Sequence, residues 1–293
     1  MRAAMKNSVL KMLSEHKDTI LILIDIGAYG FSEHIAQNPK QIRNIGIFEP
    51  GTVSLAAGMS LAGITPTVYG ISPFIVQRSL EQLKLDFVYQ DVGGNFITTG
   101  ASYDFSALGY SHYCPEDVMT LKTLPGFEIL TPGTPSQFET LFNCCCMNGN
   151  PSYFRMTDHC NRHDVEVEFG KAAIIKRGKK ATIVVFAEML DVVVNVCKDL
   201  DVTLLYYTTA NPFDYDSLKS NLKEDKLILC HPFYEGTFAD DIIKLTSDMR
   251  LRLCEICVPK KVIRSYGTKN DKDIHFGFTE DNIRNKIKNF IGE

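Results

Sequence analysis

The stretch that most limits what this chain can fold into runs from Ile45 to Gly63: Ile45-Gly46-Ile47-Phe48-Glu49-Pro50-Gly51, then Thr52-Val53-Ser54-Leu55-Ala56-Ala57-Gly58-Met59-Ser60-Leu61-Ala62-Gly63. An apolar segment, residues 45–48, reads as a strand that ends on one glutamate. A Gly-containing turn follows, then a helix dense in small residues, which lets another backbone or a ligand come close. A carboxylate at the carboxyl end of a strand, beside a helix N-terminus, stands where open α/β sheets place their ligands. The alternative reading of Glu49 is a solvated side chain in a strand-to-helix turn.

The remainder of the chain repeats the same alternation. Residues 3–16 carry apolar positions at helical spacing (Met5, Val9, Leu10, Met12, Leu13), and 19–26 is a β-rich run closing on Asp25-Ile26-Gly27. A short helix is expected at 32–37, strands at 65–69 and 87–89, and a helix at 74–85. Helices follow at 115–124 and 135–147, with strands at 127–130 and 152–156. This pattern predicts a parallel sheet wrapped by helices on both faces.

The polar stretch 157–168 is the best boundary, giving domains 1–160 and 161–293. Beyond it a second βα series begins. Strands are expected at 173–175, 181–186, 202–207, 227–230 and 252–258, and helices at 190–200, 216–222, 238–246 and 280–291. The fold class is α/β, two doubly wound domains.

Composition excludes several function classes. With 45% hydrophobic and 23% charged residues the chain is globular, and its 31 basic and 35 acidic residues give a net charge of −4. That balance argues against nucleic acid or an anionic membrane as partner. No apolar run approaches the ~18–20 residues of a membrane span, and the N-terminus has no signal-peptide core. Nine scattered cysteines, an odd number, read as free thiols in a reducing compartment, so a cytoplasmic location is expected. Cys144-Cys145-Cys146 reads as core filler. Cys254-x-x-Cys257 has no second ligand pair in sequence and reads as structural; His159 and His163, four apart in the linker, have no third ligand, so metal binding is not expected of them. Arg250, Arg252, Lys260, Lys261 and Arg264 read as a solvated basic face.

Gly46-Ile47-Phe48-Glu49 with Ala56-Ala57-Gly58 resembles the "GI-x-E…AAG" signature of the pyrimidine-binding domain of thiamine-diphosphate enzymes, in the transketolase and deoxyxylulose-phosphate-synthase branch. The resemblance implies that Glu49 is catalytic: it bonds the ring nitrogen N1′ of the cofactor's aminopyrimidine and so favours the imino tautomer that removes the thiazolium C2 proton. Ile71-Ser72-Pro73-Phe74, with Gln77-Arg78 and Glu81-Gln82, is similar to "STF-x-QRAYDQ" with one residue inserted. It implies that Phe74 stacks on the pyrimidine and that Gln77 lies nearby. Asp25, closing the first strand, is placed with Glu49, Phe74 and Gln77 among the cofactor-binding residues.

Gly109-Tyr110-Ser111-His112-Tyr113-Cys114-Pro115-Glu116-Asp117 resembles the "DG-P-THQ-P-ED" stretch, with Leu121-Lys122-Thr123-Leu124-Pro125-Gly126 after it. It implies that His112 faces the substrate carbonyl and its developing alkoxide. Pro151-Ser152-Tyr153-Phe154-Arg155 resembles "P-x-x-(I/V)-R", which implies that Arg155 anchors a substrate anion; the alternative is an arginine closing a strand end. Two departures bear on substrate. Ser106-Ala107-Leu108 stands where the family has an acidic residue that contacts a substrate hydroxyl, and Gly100 stands about where some members have a substrate-facing histidine.

The family also has a "GDG…N" sequence that seats Mg²⁺ and the diphosphate, and no Gly-Asp-Gly occurs here. Phe276-Gly277-Phe278-Thr279 resembles the "FG-x-T/S" element near the end of transketolases. The resemblance therefore implies the C-terminal subunit of a split transketolase-like enzyme that moves a two-carbon ketol unit from a sugar-type donor to an aldehyde. Its cofactors would be thiamine diphosphate and Mg²⁺, the metal held mainly by a partner subunit with the Gly-Asp-Gly motif. The assembly would be a heterotetramer built on a homodimer of this chain. The competing readings are a β subunit of a 2-oxo-acid dehydrogenase E1 component and a non-catalytic scaffold of the same fold.

Overall fold

The computed structural model describes residues 1–245 and 250–293. In chain order the strands are β1 (Thr19–Leu23), β2 (Ile42–Asn44), β3 (Thr65–Ile71), β4 (Gly94–Thr99), β5 (Glu128–Leu130), β6 (Pro151–Arg155), β7 (Ala173–Lys176), β8 (Thr182–Phe186), β9 (Thr203–Tyr207), β10 (Thr209–Asn211), β11 (Lys226–Tyr234) and β12 (Arg252–Val258). β1, β4, β8 and β9 are buried along their whole length. That is the signature of strands covered on both faces, which parallel sheets require.

Two sheets form. The first has seven strands in the order β10-β5-β6-β4-β3-β1-β2, parallel except for β10, which runs antiparallel to β5. The second has five, β12-β11-β8-β9-β7, parallel except for β7 against β9. The helices Arg2–Glu15 and Pro135–Cys145 cover the outer face of the first sheet through Met5, Val9, Met12, Leu13, Phe138 and Phe142. Glu280–Ile291 covers the outer face of the second through Ile283, Ile287 and Ile291. Between the sheets lies one continuous apolar core shared by both halves, including Ile22, Val68 and Phe96 from one and Phe186, Leu205 and Leu229 from the other. Among the described residues no helix is long and apolar enough to cross a membrane.

Several elements differ from the sequence reading. The strand expected at 45–48 lies earlier, at β2, because Gly46 takes φ +79° and ends the extended run. Ile47 and Phe48 are then 72% and 63% exposed. Residues 87–89 are not a strand: Leu83–Val88 is one π-type helical turn that follows the turn Leu80–Gln82 and buries Phe87 against Phe96, ring centroids 4.8 Å apart. The helix expected at 74–85 is broken after Ser72–Val76. β4, β10 and the helix Lys269–Phe276 have no counterpart in the sequence reading. The helix expected at 238–246 is observed over Ala239–Leu245, and Thr246 lies outside the described residues.

The expected boundary near 160 meets a structure in which the halves are tied closely. β10, from the second half, completes the first sheet. Tyr206 Oη donates to Gln137 Oε1 at 2.9 Å, the Asn161 N–H to the Gly133 carbonyl at 2.9 Å, and the Tyr234 N–H to the Pro115 carbonyl at 2.9 Å. Asp104 faces this seam. Burial and the nearby Glu188 carboxylate push its acid up to about 7, against the opposing pull of the Asp158 N–H, Arg155 and Lys269.

A carboxyl whose pKa is raised on folding binds its proton more tightly when folded. Its contribution to stability is therefore present below the ordinary carboxylate range and is lost as pH rises to about 7. Denaturant unfolding between pH 4.5 and 7.5 should show Asp104→Asn removing part of the fall in stability across that window. An unchanged slope would remove Asp104 as its source.

Candidate active site

The helix Glu49–Leu61 starts on the glutamate itself, with Pro50 in its first turn, where a missing N–H costs nothing. Ala56 and Ala57 are buried on its inner face, so the helix lies close over the first sheet. Glu49 is 5% exposed at the mouth of a cleft of about 260 Å³. The cleft is lined by Ile24, Asp25, Ile26, Ile47, Gly70, Ile71 and Phe74 as well as Glu49. It stands at the carboxyl ends of β1 and β3, the edge where parallel sheets take ligands. Asp25 holds φ +67° there, and its N–H donates to Asn44 Oδ1 at 3.0 Å.

Phe74 enters the cleft from the short helix Ser72–Val76. Arg78 lies over its ring, with the guanidinium carbon 4.1 Å from the centroid, and donates from Nη1 to Glu49 Oε2 at 2.8 Å. His112 meets the Phe74 ring edge-on at 5.1 Å. Its Nδ1 lies 3.0 Å from Ser111 Oγ. Burial, and then the positive charge of Arg78, hold the His112 imidazole below its usual range. Gln77 Nε2 donates to Glu116 Oε1, whose acid is pushed up by burial. Glu49, Phe74 and Asp25 thus line one cleft, His112 packs against the Phe74 ring, and Gln77 turns to Glu116. Two further participants, Arg78 and Glu116, carry little weight in the sequence reading. The signal for both was their place in the "QR" and "P-ED" matches.

Arg155 does not join them. Its side chain is 1% exposed. Nε donates to Asp117 Oδ2 at 2.7 Å, Nη2 to Ser102 Oγ at 2.5 Å, and Nη1 lies 3.5 Å from Glu188 Oε2. The guanidinium also covers Phe233 at 4.8 Å. All of its charge is spent inside the protein, which corrects the expectation that it anchors a substrate anion. His163 pairs with Asp191 at 2.7 Å, as a satisfied surface histidine does.

The departures from the family pattern have a physical counterpart. A Cβ at Gly100 would stand 2.7 Å from the Phe105 ring, so the room for a histidine side chain is filled by a phenyl group. Phe105 faces His112 at 6.5 Å, and Leu108 is more than half exposed. The two places where the resemblance implies polar substrate contacts, Gly100 and Ser106–Leu108, offer no charged side chain.

Thiamine diphosphate is the cofactor the fold implies, and the residues fit its pyrimidine end. A planar N–H donor already lies on the Phe74 face and against Glu49: the guanidinium of Arg78. An aminopyrimidine offers the same combination, a flat face for the ring and a ring nitrogen for the carboxylate.

Comparison with known proteins agrees. The family description "Transketolase, pyrimidine binding domain" matches residues 1–160. The chain is 31% identical, over 93% of its length and 89% of the relative's, to an "Uncharacterized 33.6 kDa protein in fasciation locus" of Rhodococcoides fascians. It is 23% identical, over 99% of its length and 97% of the relative's, to one of the subunits of an apulose-4-phosphate transketolase of Phocaeicola vulgatus. Among solved structures, one described as "Split gene transketolase, inactive beta4 tetramer" superposes with a TM-score of 0.84 at 18% identity, covering 99% of this chain and 97% of that one. The chain belongs to the transketolase family, with the pyrimidine-binding domain at residues 1–160.

Proposed function

We propose that this chain is the C-terminal subunit of a two-chain, thiamine-diphosphate-dependent transferase that moves a two-carbon ketol unit from a sugar-type donor to an aldehyde. The observation that carries the reading is the Glu49 carboxylate set against the Phe74 ring in a cleft that accepts a flat N–H donor. Dependence on a second chain is supported by the Phocaeicola vulgatus relative, itself named as one subunit of a transketolase and matched over 97% of its length. The solved structure described as an inactive tetramer of β chains points the same way. The partner would hold the diphosphate and Mg²⁺ through a Gly-Asp-Gly motif. The Phocaeicola vulgatus relative is named for apulose-4-phosphate, which supports a phosphorylated sugar as the class of substrate.

Bound in the cleft, thiamine diphosphate supplies the electron sink for breaking a bond beside a carbonyl. The work of this chain's residues is then specific. Glu49 accepts from a ring nitrogen and fixes the tautomer. Phe74 sets the plane of the ring, and Ile24, Ile26 and Ile71 exclude water around it. His112, neutral near pH 7 because burial and Arg78 disfavour its cation, presents an N–H to the substrate oxygen and can exchange a proton there. In the assembled enzyme, kcat/KM should accordingly keep its plateau to a pH below the ordinary histidine range before falling. His112→Asn should remove that acid limb together with about 10²-fold of the rate, the lower end of general acid–base effects.

Arg78 has to leave the Phe74 face before a pyrimidine can stack there. Its contact there is a half-exposed ion pair with a cation–π contact, together worth about 1 kcal/mol. Arg78→Ala should therefore tighten cofactor binding several-fold by calorimetry. Weaker binding would instead make the guanidinium one of the cofactor's own contacts.

The test of the whole reading is co-expression with a chain carrying the Gly-Asp-Gly domain, followed by calorimetric titration with thiamine diphosphate and Mg²⁺. Binding in the mixture and not in either chain alone is the expected result. Absence of binding in every such mixture would leave a scaffold of the same fold.

A further inference from the structure

At the edge of the second sheet, on the face turned toward the core shared with the first, three potential metal ligands from two strands converge. His231 on β11 and Glu255 and Cys257 on β12 bring their ligand atoms within 4.8 Å of one another. Glu255 and Cys257 are two residues apart on one strand and share a face, whereas Cys254 faces the other way, into the outer core of the sheet. The Cys254-x-x-Cys257 spacing is thus not a pair of ligands; the partner for Cys257 comes from the next strand. The register explains how. Cys230 is opposite Ile256 and Tyr234 is opposite Val258, so four steps of β11 span two of β12. Such an irregularity re-aims side chains, and His231 lies within it.

Nε2 of His231 faces the Glu255 carboxylate at a separation that suits two ligands of one ion. The His231 ring is fully buried, stacked on Phe233 and edge-on to Phe238, and Nδ1 has no hydrogen-bond partner among the described residues. Nε2 stands 3.4 Å from Glu255 Oε1. That is long for a charge-assisted hydrogen bond, whose usual length is about 2.7–2.9 Å. It matches the separation of two ligand atoms on one tetrahedral ion, about 3.3 Å for legs near 2.05 Å. A proton on Nε2 leaves a bare lone pair at Nδ1, and a proton on Nδ1 turns the Nε2 lone pair toward the carboxylate. A cation between Nε2 and the carboxylate replaces the long Nε2–carboxylate contact of the second arrangement, while Nδ1, with no acceptor among the described residues, takes no part in the site. The Gly236 N–H, 3.2 and 3.1 Å from the two Glu255 oxygens, holds that carboxylate in place, as outer partners of metal ligands do.

The geometry points to a site for a tetrahedral transition metal of the zinc class, held by His231, Glu255 and Cys257 with a fourth position open to solvent on the side where Glu255 and Cys257 are partly exposed. Nitrogen, sulfur and carboxylate ligands together select zinc or cobalt over magnesium or calcium. Binding forms a metal–sulfur bond and releases the Cys257 thiol proton to solvent, with no redox change.

The test uses the full chain, reduced and stripped with chelator, titrated with Zn²⁺ and separately with Co²⁺. One equivalent should bind. The cobalt form should show a thiolate-to-metal charge-transfer band with the intense visible bands of a tetrahedral site. Cys257→Ser should abolish the charge-transfer band and weaken affinity at least about 100-fold, the upper end of the cost of losing an outer partner. Cys254→Ser, which alters a neighbouring thiol on the opposite face, should leave both unchanged, and circular dichroism should report the same fold for each variant. Absence of saturable binding would overturn the site. A cobalt spectrum without the thiolate band, or binding that survives Cys257→Ser, would place the metal elsewhere and overturn it equally.

Discussion

Glu49→Gln in the enzyme assembled with its partner should lower turnover by about 10²–10⁴-fold, the range of a positioned acid–base group, while thiamine diphosphate still binds. The amide keeps the shape of the side chain and can still meet Phe74 and the cleft walls. It cannot present a carboxylate to the ring nitrogen, so the tautomer that Glu49 selects is no longer favoured. The fold should survive. Glu49 is buried, but its charged partner Arg78 is half-exposed and returns to water at little cost when the pair is broken. Unfolding midpoints of mutant and wild type should therefore agree closely, while single-turnover rates separate. Near-normal turnover would remove Glu49 from the reaction and leave the cleft without its defining group. Glu49→Ala serves as a second measurement, because it also removes the acceptor for Arg78 and should loosen that side chain from the Phe74 face.

The contrast between what the chain displays in sequence and what only the folded molecule shows follows from where the polar groups go. Strands made of continuous apolar residues, such as β1, β8 and β9, are readable because burial on both faces admits little else. β4 escapes that logic. Its Gly-Asn-Phe-Ile-Thr-Thr sequence looks like a turn, yet it is fully buried, because Asn95 donates to Thr67 Oγ1 and the Cys146 carbonyl and Thr98 donates to Tyr153. Long-range hydrogen bonds of that kind leave no local trace. β10 is three residues long, and its pairing with β5 depends on how the two halves dock.

The cleft was legible to the extent that its residues sit in short motifs: Glu49 and Phe74 line it, and His112 packs edge-on against Phe74. Arg78 was harder to read, because its reach back across the Phe74 ring to Glu49 depends on the broken helix after Val76. The irregularity that turns His231 toward Cys257 is likewise a matter of register between strands and not of spacing along one.

Arg155→Met should cost about 3–5 kcal/mol of stability, the loss expected when one member of a buried ion pair is removed. The arginine is enclosed: Asp117 is fully buried, Glu188 nearly so, and among the described residues neither Glu188 oxygen has a hydrogen bond, Oε2 standing 3.5 Å from the guanidinium. Deleting the cation leaves two carboxylates with little contact with water, and the Tyr153 hydroxyl, which donates to Asp117 at 2.9 Å, cannot offset a full charge. Because Asp117 and Ser102 come from the first half of the chain and Glu188 from the second, the loss should appear as a weakened seam. Urea unfolding should show the lower midpoint, and amide exchange near Ser102 and Glu188 should rise first.

The double variant Arg155→Met with Asp117→Leu should recover part of the loss, as replacement of both members of a buried pair by apolar groups generally does. An arginine that instead held a substrate anion would behave differently: Arg155→Lys would raise KM in the assembled enzyme at an unchanged unfolding midpoint. The geometry favours the first outcome, since every nitrogen of the guanidinium already faces an oxygen of this chain.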